Sequence, residues 1–441
     1  MSAASHSAVV LFTRYPTPGQ TKTRLIPTLG AEGAARLQRE MTELLVTRLK
    51  PPAIQGHFQF TVCHAGASSR AMRRWLGDGF SYEPQSGGDL GARMTRAIQA
   101  RFDQGARKVL VIGADCPGVD LSIVKQAVAA LDHNPVVFGP ARDGGYYLVG
   151  LNRPCRELFQ GIAWGEPTVL RHSLDRARQL GLNPALLPAF VDIDRPEDLP
   201  HWETVRRASS TLAVIIPSLN EAANLGETLE RVARGEPDEI IVADGGSTDD
   251  TRAIARHMGV RVLEAPRGRA RQMNAGAAVA GSELLLFLHA DTWPPERYAD
   301  AIRSRLNHPA VAAGAFRFAL REPMPGRRFL EGLVWARCRC FGTPFGDQGL
   351  FVRRDLFQAV GGFADWPLLE DVEILRRLRR YGRVELVAAP ALTASRRWQE
   401  RGVLRTFVIN QLVMLGYYGG VSKRRLAKLY GQPSEGRRAG R

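Results

Sequence analysis

The sequence has few cysteines, no long apolar run and a deficit of acidic residues. Five cysteines in 441 residues are too few and too scattered for a disulfide-rich secreted fold. Only Cys338 and Cys340 are closely spaced, and no second pair completes a zinc site, so we expect reduced thiols. No run approaches the roughly 20 apolar residues of a membrane span. The N-terminus lacks the basic lead and apolar core of a signal peptide, and we therefore expect a cytoplasmic protein.

The deficit of acidic residues leaves an excess of positive charge. Sixty Lys and Arg against 44 Asp and Glu give a formal net charge of +16, which suits nucleic acid, an anionic membrane or phosphorylated substrates. No zinc-finger, RNA-binding or helix-turn-helix signature is present, so we expect no nucleic-acid partner. Part of the excess lies in residues 423–441, where a solubilising tail is an equally good explanation.

Apolar runs alternate with helical patterns in both halves of the chain. This alternation predicts an α/β protein with two tandem, Rossmann-like domains, each built on a mostly parallel sheet covered on both faces. A polar helix and a short Arg-Ala-Ser-Ser linker indicate a boundary near residue 208, giving domains 1–207 and 208–441. The predicted strands are 8–13, 58–65, 108–115, 135–141, 212–217, 239–246, 260–265 and 283–291, and the predicted helices are 31–50, 121–132, 224–235 and 248–259.

One pattern occurs in each half: an apolar run, then Ala-Asp, then a turn residue. It places Asp115 after VLVIGA and Asp291 after LLLFLHA. Parallel sheets of this class bind ligands beyond the carboxyl ends of their strands. Both aspartates are therefore expected at a ligand-binding edge.

Polar residues follow two further predicted strands of the second half. Asn220 and Glu221 lie in a turn after Pro217, where their side chains suit a base or ribose, although a helix cap explains such a turn equally well. Asp244 leaves the next strand, and Gly245 lets the chain turn tightly towards a ligand. Helix capping accounts for Ser247 but not for Asp244.

A basic segment separates these loops from Asp291. Arg269 and its neighbouring arginines suit a pyrophosphate, and Asn274 opens a helix rich in small residues. Mg²⁺ in proteins takes one or two carboxylates together with phosphate oxygens. Asp291 is thus a candidate ligand for a cation that neutralises a nucleoside-diphosphate leaving group.

The order of these motifs resembles the family 2 glycosyltransferases of the GT-A fold over residues 212 to about 400. The subgroup it most resembles is the one found beside radical-SAM and selenium- or arsenosugar-related genes. His289 stands where the family has the first Asp of its DxD motif, so Asp291, aided by His289, would hold Mg²⁺ or Mn²⁺. The matching stretches are PSLNE, ADGGSTDDT, RGRARQMNAG, HAD, FGDQGLF, LLEDVEIL and RRW.

The resemblance implies roles for the matching residues. Pro217, Asn220, Glu221 and Asp244 would form the nucleoside pocket, and Asp347 and Gln348 would contact donor sugar or acceptor. Glu370 and Asp371 match the family's general-base motif, and Asp371 is the preferred base. Arg397 and Trp398 would lie on the acceptor side.

A helix cap is the alternative role for Asp371. Residues 372–382 have a helical pattern, so Asp371 is expected at a helix N-terminus. A carboxylate there is stabilised by the helix dipole, and we expect this to lower its pKa and weaken it as a base.

The first half has a loop with three cations after its first strand. Arg14, Lys22 and Arg24 suit a triphosphate, although the GxxxxGK[ST] spacing of a Walker loop is absent. The alternative is an exposed basic loop. Further candidates are Arg93, after a glycine pair, and the pair Arg142 and Asp143, for which a β-hairpin turn is the alternative.

Residues 8 to about 200 resemble the DUF2064 group, GT-A-like proteins akin to nucleotidyltransferases. The matching stretches are PGQTKTRL, GADCP, ARDGGYYLVGL and DIDRPEDL. This resemblance implies that Asp115 and Asp194 hold Mg²⁺ and that an NTP is a substrate, while a plain N-cap is the alternative for Asp194.

Together these features predict a metal-dependent glycosyltransferase that uses a nucleoside-diphosphate sugar. Its first half would be a nucleotidyltransferase-like domain that makes the donor. The alternative is a non-catalytic nucleotide-binding or scaffolding module. The apolar segment 402–430 is expected to pack on the catalytic core, and its alternative role is peripheral contact with anionic lipid at the inner face of the membrane.

Overall fold

The computed structural model describes residues 6–341, 344, 346–395, 402–422, 425, 426 and 429. The chain forms two compact units, of which the first extends to Ser209 and the second begins at Ser210, with Asn307–Ala310 grouped with the first. Each unit is an α/β domain built on one mostly parallel sheet, so the predicted fold class, two tandem GT-A-like domains, is confirmed.

Seven strands and six helices build the first unit within the described residues. The strands are β1 (Ser7–Arg14), β2 (Gln59–Ala65), β3 (Ser81–Pro84), β4 (Lys108–Gly113), β5 (Val136–Pro140), β6 (Tyr146–Leu151) and β7 (Pro184–Leu186). The helices are α1 (Ile26–Ile54), α2 (Ser69–Leu76), α3 (Leu90–Asp103), α4 (Leu121–Ala130), α5 (Val169–Gln179) and α6 (Leu199–Ala208).

The second unit has eight strands and eight helices within the described residues. Its strands are β8 (Leu212–Ser218), β9 (Glu239–Asp244), β10 (Arg261–Glu264), β11 (Leu284–Phe287), β12 (Thr292–Trp293), β13 (Val311–Leu320), β14 (Leu350–Arg353) and β15 (Arg383–Thr393). Its helices are α7 (Ala222–Ala233), α8 (Thr251–His257), α9 (Arg269–Val279), α10 (Tyr298–Leu306), α11 (Arg327–Phe341), α12 (Arg354–Ala359), α13 (Glu370–Leu378) and α14 (Val403–Tyr418).

The first sheet has the order β3-β2-β1-β4-β6-β5-β7. Strands β3, β2, β1 and β4 are parallel to one another, whereas β6 runs antiparallel to both β4 and β5. Successive side chains of β1 point to opposite faces. Val9 and Leu11 join one buried cluster, and Ala8 and Val10 join the other, so β1 is apolar at every central position because helices cover both faces.

The second sheet has the order β10-β9-β8-β11-β14-β13-β15-β12. The first four strands are parallel to one another, and β14 runs antiparallel to β11 and β13. Val214 and Ile216 of β8 face one apolar cluster, while Ala213 and Ile215 face the other. As in the first unit, a continuous apolar strand therefore marks the centre of the sheet.

Strand β11 is shorter than the sequence predicts. The expected strand 283–291 ends at Phe287, the last residue paired with β8 and β14. The chain then turns, with Thr292 N–H donating to the His289 carbonyl at 3.1 Å. This turn frees His289 and Asp291 from the ladder, so both lie beyond the carboxyl end of a central strand.

No described helix is both long and apolar enough to cross a membrane. Helix α14 is rich in apolar residues, and on one side Val413 and Met414 pack against Leu368, Leu369 and Val372.

Candidate functional site

A cavity lies where the parallel strands of the second sheet end. Apolar side chains from α9, β11, β14 and the loop before α13 form one part of its wall, and polar groups form the other. The apolar residues are Met273, Phe287, Leu350 and Phe363, and the polar wall consists of Arg269, His289, Gly346, Glu370 and Asp371.

Asp371 is held at the first turn of α13 by two backbone donors. Gly346 N–H donates to its Oδ2 at 2.6 Å, and Val372 N–H donates to its Oδ1 at 2.7 Å. Burial nevertheless raises the pKa of Asp371, and the donors and nearby arginines oppose this only in part. The expectation of a lowered pKa at the helix N-terminus is therefore wrong, because the loss of hydration outweighs the dipole and the hydrogen bonds.

Glu370, the other acid of this pair, is 3% exposed and faces Arg269. Arg269 Nη1 lies 3.4 Å from Glu370 Oε1. Burial raises the pKa of Glu370, Arg269 opposes the rise and Asp371 adds to it. Glu370 thus pairs with Arg269 at the cavity. Asp371 instead accepts a hydrogen bond from the Gly346 backbone.

Asp347 lies in a short 3₁₀ helix, Gly346–Gln348. Burial raises its pKa to about 6, Arg337 opposes the rise, and the carboxylates of Asp371 and Asp291 add to it. Carboxylates that raise one another's pKa mark a place where a cation is favoured.

His289 and Asp291 are the candidate metal ligands of this edge. His289 Nε2 is buried and has no hydrogen-bond partner within the described part of the chain. Burial, reinforced by Arg269, lowers the pKa of His289 well below its usual value, so its ring is neutral and able to bind a metal. Burial raises the pKa of Asp291, whose Oδ1 lies 3.3 Å from Thr292 Oγ1.

These two residues fit a divalent cation that also binds a substrate's phosphates. No group of three or more His, Cys, Asp or Glu side chains is preassembled around a metal position in the described residues. Mg²⁺ held by one or two protein ligands plus phosphate oxygens does not need such a group. His289, whose Nε2 has no hydrogen-bond partner among the described residues, and Asp291, two residues further along the chain, would provide that smaller set.

The predicted nucleoside loops are organised by Asp244. Its side chain is fully buried, and its carboxylate accepts hydrogen bonds from the N–H groups of Gly246 and Ser247 and from the Ser247 hydroxyl. Asn220, at φ 56°, accepts the Thr248 N–H at 2.8 Å through its side-chain oxygen. Asp244 therefore shapes the loop and has no surface open to a ligand.

The other predicted residues of these loops lie beside it. Pro217 pairs with Ala243 in the parallel ladder of β8 and β9. Glu221 N–H donates to Thr251 Oγ1 at 2.8 Å, and Gly245 N–H donates to the Ser218 carbonyl. The structure thus brings the ends of β8 and β9 together as the sequence predicts.

Two predicted ligand contacts have structural partners instead. Asn274 donates to the Phe363 carbonyl at 2.8 Å and accepts the Phe363 N–H at 2.9 Å, which ties α9 to the loop before α13. Gln348 is 1% exposed and donates to the Phe316 carbonyl. Arg397 and Trp398 lie outside the described residues.

Sequence reasoning missed Gln272, which fixes the shape of this edge. This buried side chain donates to the Ser218 and Ala243 carbonyls, both at 2.8 Å, and so joins the ends of β8 and β9. Gln272 lies between the predicted residues Arg269 and Asn274. The signal in the sequence was a polar residue next to Met273, on the side of α9 that packs on the sheet.

In the first unit the structure brings together Lys22, Asp115 and Asp194. Lys22 Nζ lies 2.5 Å from Asp115 Oδ1 and 2.8 Å from Asp194 Oδ1. Arg24 Nη1 lies 3.4 Å from the second oxygen of Asp194. The predicted phosphate-binding lysine is therefore paired with both predicted metal ligands.

The remaining candidates of the first unit are dispersed. Arg14 is exposed, and Arg93 is bonded to the Gly88 carbonyl and to Gln85. Arg142 and Asp143 occupy the turn that joins the antiparallel strands β5 and β6, where Asp143 Oδ1 accepts the Gly145 N–H. This turn is the β-hairpin turn that was the alternative to a ligand-binding role for Arg142 and Asp143.

Comparison with known families divides the chain in the same way. Residues 213–348 match the family described as glycosyl transferase family 2. Residues 52–166 match a family described only as an uncharacterized protein conserved in bacteria, DUF2064.

Each of the individual relatives matches only part of this chain. A PGL/p-HBAD biosynthesis glycosyltransferase of Mycobacterium bovis is 31% identical over 180 residues, which cover 36% of this chain and 68% of that protein. A solved putative nucleotide-diphospho-sugar transferase from Desulfovibrio desulfuricans is 34% identical and covers 43% of this chain and 83% of its own, with a TM-score of 0.40. Glucosyl-3-phosphoglycerate synthase from Mycobacterium tuberculosis, solved with Mn²⁺, UDP and glucosyl-3-phosphoglycerate, is 19% identical and covers 52% of this chain and 84% of its own, with a TM-score of 0.35.

Proposed function

The chain belongs to glycosyltransferase family 2 through its second half, and from this premise we propose that the cavity at Asp371 is its site of sugar transfer. The donor is a nucleoside-diphosphate sugar and the acceptor carries a hydroxyl group. The observation that carries this proposal is the meeting of Asp371, His289 and Arg269 around one cavity at the strand ends.

Asp371 acts as the general base. A carboxylate is a better base when its pKa is raised, and burial raises that of Asp371. The acceptor oxygen forms a bond to the anomeric carbon, the bond from that carbon to the diphosphate oxygen breaks, and the acceptor proton passes to Asp371. Because the base and the leaving group lie on opposite sides of the carbon, the transfer inverts its configuration.

Asp291 and His289 would hold Mg²⁺ or Mn²⁺, which when bound would supply positive charge to the diphosphate. The Mn²⁺ and UDP recorded with the M. tuberculosis synthase support this part of the proposal. Arg269, 46% exposed at its side chain and restrained by Glu370, adds a fixed positive charge facing the same cavity.

The loops after β8 and β9 form the nucleoside side of the site. Asn220 and Glu221 line it, while Asp244, Gly245 and Ser247 hold its shape from beneath. Asp347 faces the transferred sugar, and Asn274 and Gln348 position the surrounding loops.

The test uses the full chain and separates binding from chemistry. We expect UDP, or the diphosphate of the correct donor, to raise the melting temperature more with Mn²⁺ than without it. Asp291→Ala should abolish the Mn²⁺-dependent part, whereas Asp300→Ala, which removes an exposed aspartate of the same unit, should not. Asp371→Asn should keep the melting-temperature shift and lower donor turnover at least about 100-fold. Retained turnover in Asp371→Asn refutes the assigned base.

For the first half we propose a nucleotide-binding module. Arg14 and Arg24 are exposed cations beside the end of β1, which suits the phosphates of an NTP. The pairing of Lys22 with Asp115 and Asp194 favours this role over donor synthesis, because both carboxylates are already neutralised.

An NTP screen on the full chain distinguishes the two roles. A module predicts a melting-temperature shift that the double substitution Arg14→Ala, Arg24→Ala removes and Asp291→Ala does not. Donor synthesis instead predicts release of pyrophosphate from an NTP and a sugar phosphate, and loss of that release in Asp115→Asn. Observing the second result replaces the module with a nucleotidyltransferase.

We also propose that α14 contacts an anionic bilayer. Val408, Leu412 and Leu415 are 45%, 49% and 67% exposed and lie on one face of the helix. Arg405, one turn before Val408, is exposed, Arg425 beyond the helix is exposed too, and the sequence that follows is rich in Lys and Arg. An apolar row flanked by cations fits the surface of an anionic membrane.

Vesicle sedimentation tests this contact. We expect the protein to bind phosphatidylglycerol vesicles, to bind phosphatidylcholine vesicles weakly, and to release from the former as salt increases. The double substitution Leu412→Asp, Leu415→Asp should abolish binding, whereas Leu186→Asp, at a comparably exposed leucine of the first unit, should not. If the Leu412→Asp, Leu415→Asp protein sediments with the vesicles as fully as the parent does, α14 is not the contact.

A further inference from the structure

The loop after β1 directs the Lys22 side chain into the first unit. Lys22 has φ 48° and ψ 45°, a left-handed conformation that residues with a Cβ seldom adopt. Its side chain is only 4% exposed. A strained backbone and a buried ammonium group both cost free energy, so strong contacts must fix this arrangement.

Three oxygen atoms surround the Lys22 ammonium group. They are Asp115 Oδ1 at 2.5 Å, Asp194 Oδ1 at 2.8 Å and the Ile193 carbonyl oxygen at 2.7 Å. An ammonium group has three N–H donors, so one acceptor is present for each donor. Three oxygens from two separate loops around one buried cation resemble the oxygen ligands of a hard metal ion.

Both aspartates at this position already have cationic partners. Lys22 and Arg24 carry two positive charges against the two negative charges of Asp115 and Asp194. The Lys22 ammonium group therefore already lies where Mg²⁺ would bind between these two carboxylates.

A divalent ion between Asp115 and Asp194 would have to expel the ammonium group. Lys22 itself has the left-handed backbone conformation, which limits where its expelled ammonium group could go. A charge that stays buried without its partner is strongly destabilising. The residues present thus do not fit the metal site that the resemblance of the first half implies.

We propose that the Lys22 ammonium group is the resident cation of the first unit, occupying the position between Asp115 and Asp194 in place of a divalent metal ion. It joins the loop after β1 to the segments that carry the two aspartates. This placement leaves Arg24, 60% exposed at its side chain, as the cation that meets an anionic ligand.

Mn²⁺ binding to the full chain, followed by the electron paramagnetic resonance of free Mn²⁺, tests this assignment without an activity assay. The background is Asp291→Ala, which removes the proposed ligand of the second unit. Adding Asp115→Asn should leave the Mn²⁺ titration unchanged. Adding Lys22→Met, which keeps an unbranched side chain but removes the ammonium group, should create one new Mn²⁺ site that Asp115→Asn then abolishes.

Two results would overturn the assignment. One is a Mn²⁺ site in the Asp291→Ala protein, with Lys22 intact, that disappears on adding Asp115→Asn. The other is a folded Lys22→Met protein, by circular dichroism, that gains no site. The first comparison needs no change at Lys22, so it decides the matter even where Lys22→Met fails to fold. Lys22→Arg, which preserves a cation at this position, should gain no site.

Discussion

Glu43 of α1 should make the stability of the first unit depend on pH. Its carboxylate is 9% exposed and accepts a hydrogen bond from Trp75 Nε1 at 2.7 Å. Burial raises its pKa from 4.5 to about 7, although Trp75 and Arg39 oppose the rise. Between these two values the folded state binds a proton that the unfolded state has released.

The sign follows from this difference in proton binding. Stability falls as pH rises wherever the folded state holds more protons, so the contribution of Glu43 is present below its unfolded pKa and is lost as pH rises through 7. With pKa values of 4.5 and about 7, the loss between pH 5 and pH 8 is about 2.5 kcal/mol, at 1.36 kcal/mol per pKa unit. Little of this is screened because the group is buried.

Glu43→Gln should remove this dependence, since the amide retains an acceptor oxygen for Trp75 and cannot ionise. We expect its free energy of unfolding, from urea titration followed by tryptophan fluorescence, to exceed that of the parent by about 2.5 kcal/mol more at pH 8 than at pH 5. Glu203→Gln removes an exposed carboxylate of the same unit and should lack this trend. Parallel pH profiles for the parent and Glu43→Gln would refute the reasoning.

Two glycines give further predictions. At Gly144, φ is 92° and a Cβ atom would lie 1.9 Å from the Pro167 carbonyl oxygen, so Gly144→Ala should lower the free energy of unfolding by roughly 3 kcal/mol or more. Gly161, at φ 72° with nothing within 4 Å of the added atom, is the matched control and should lose only about 1 kcal/mol; similar losses at both sites would contradict the steric argument. At Gly346 a Cβ atom would lie 3.0 Å from His289 Nε2. Gly346→Ala should therefore lower donor turnover at least about tenfold with little change in melting temperature. Full turnover in this variant would show that the close approach of Gly346 to His289 is not required.

The centre of each sheet could be predicted from sequence because its strands are apolar at every central position. Strand β1 and strand β8 are buried on both faces, and a run without alternation is typical of such strands. Parallel strands place their carboxyl ends at one edge, so Asp115 and Asp291 could be assigned to those edges without coordinates.

The electrostatic partners of those aspartates could not be predicted. Lys22 and Asp194 are 172 residues apart, and Arg269 and Glu370 are 101 residues apart, so nothing in the local sequence pairs them. The same limit applies to the pKa of Asp371. Its place at a helix N-terminus predicts a decrease, whereas burial, which depends on the whole unit, produces an increase.

One sequence pattern therefore leads to two different electrostatic environments. After β4, the acid of the Ala-Asp pattern meets a buried lysine, which also pairs with Asp194. After β11, burial raises the pKa of Asp347, the carboxylates of Asp371 and Asp291 add to the rise, and Arg337 and Arg269 oppose it. In the first environment the Lys22 ammonium group already lies between two carboxylates, whereas in the second, neighbouring carboxylates act on one another. Metal dependence should therefore follow the second half of the chain, and the motif alone is insufficient to predict it.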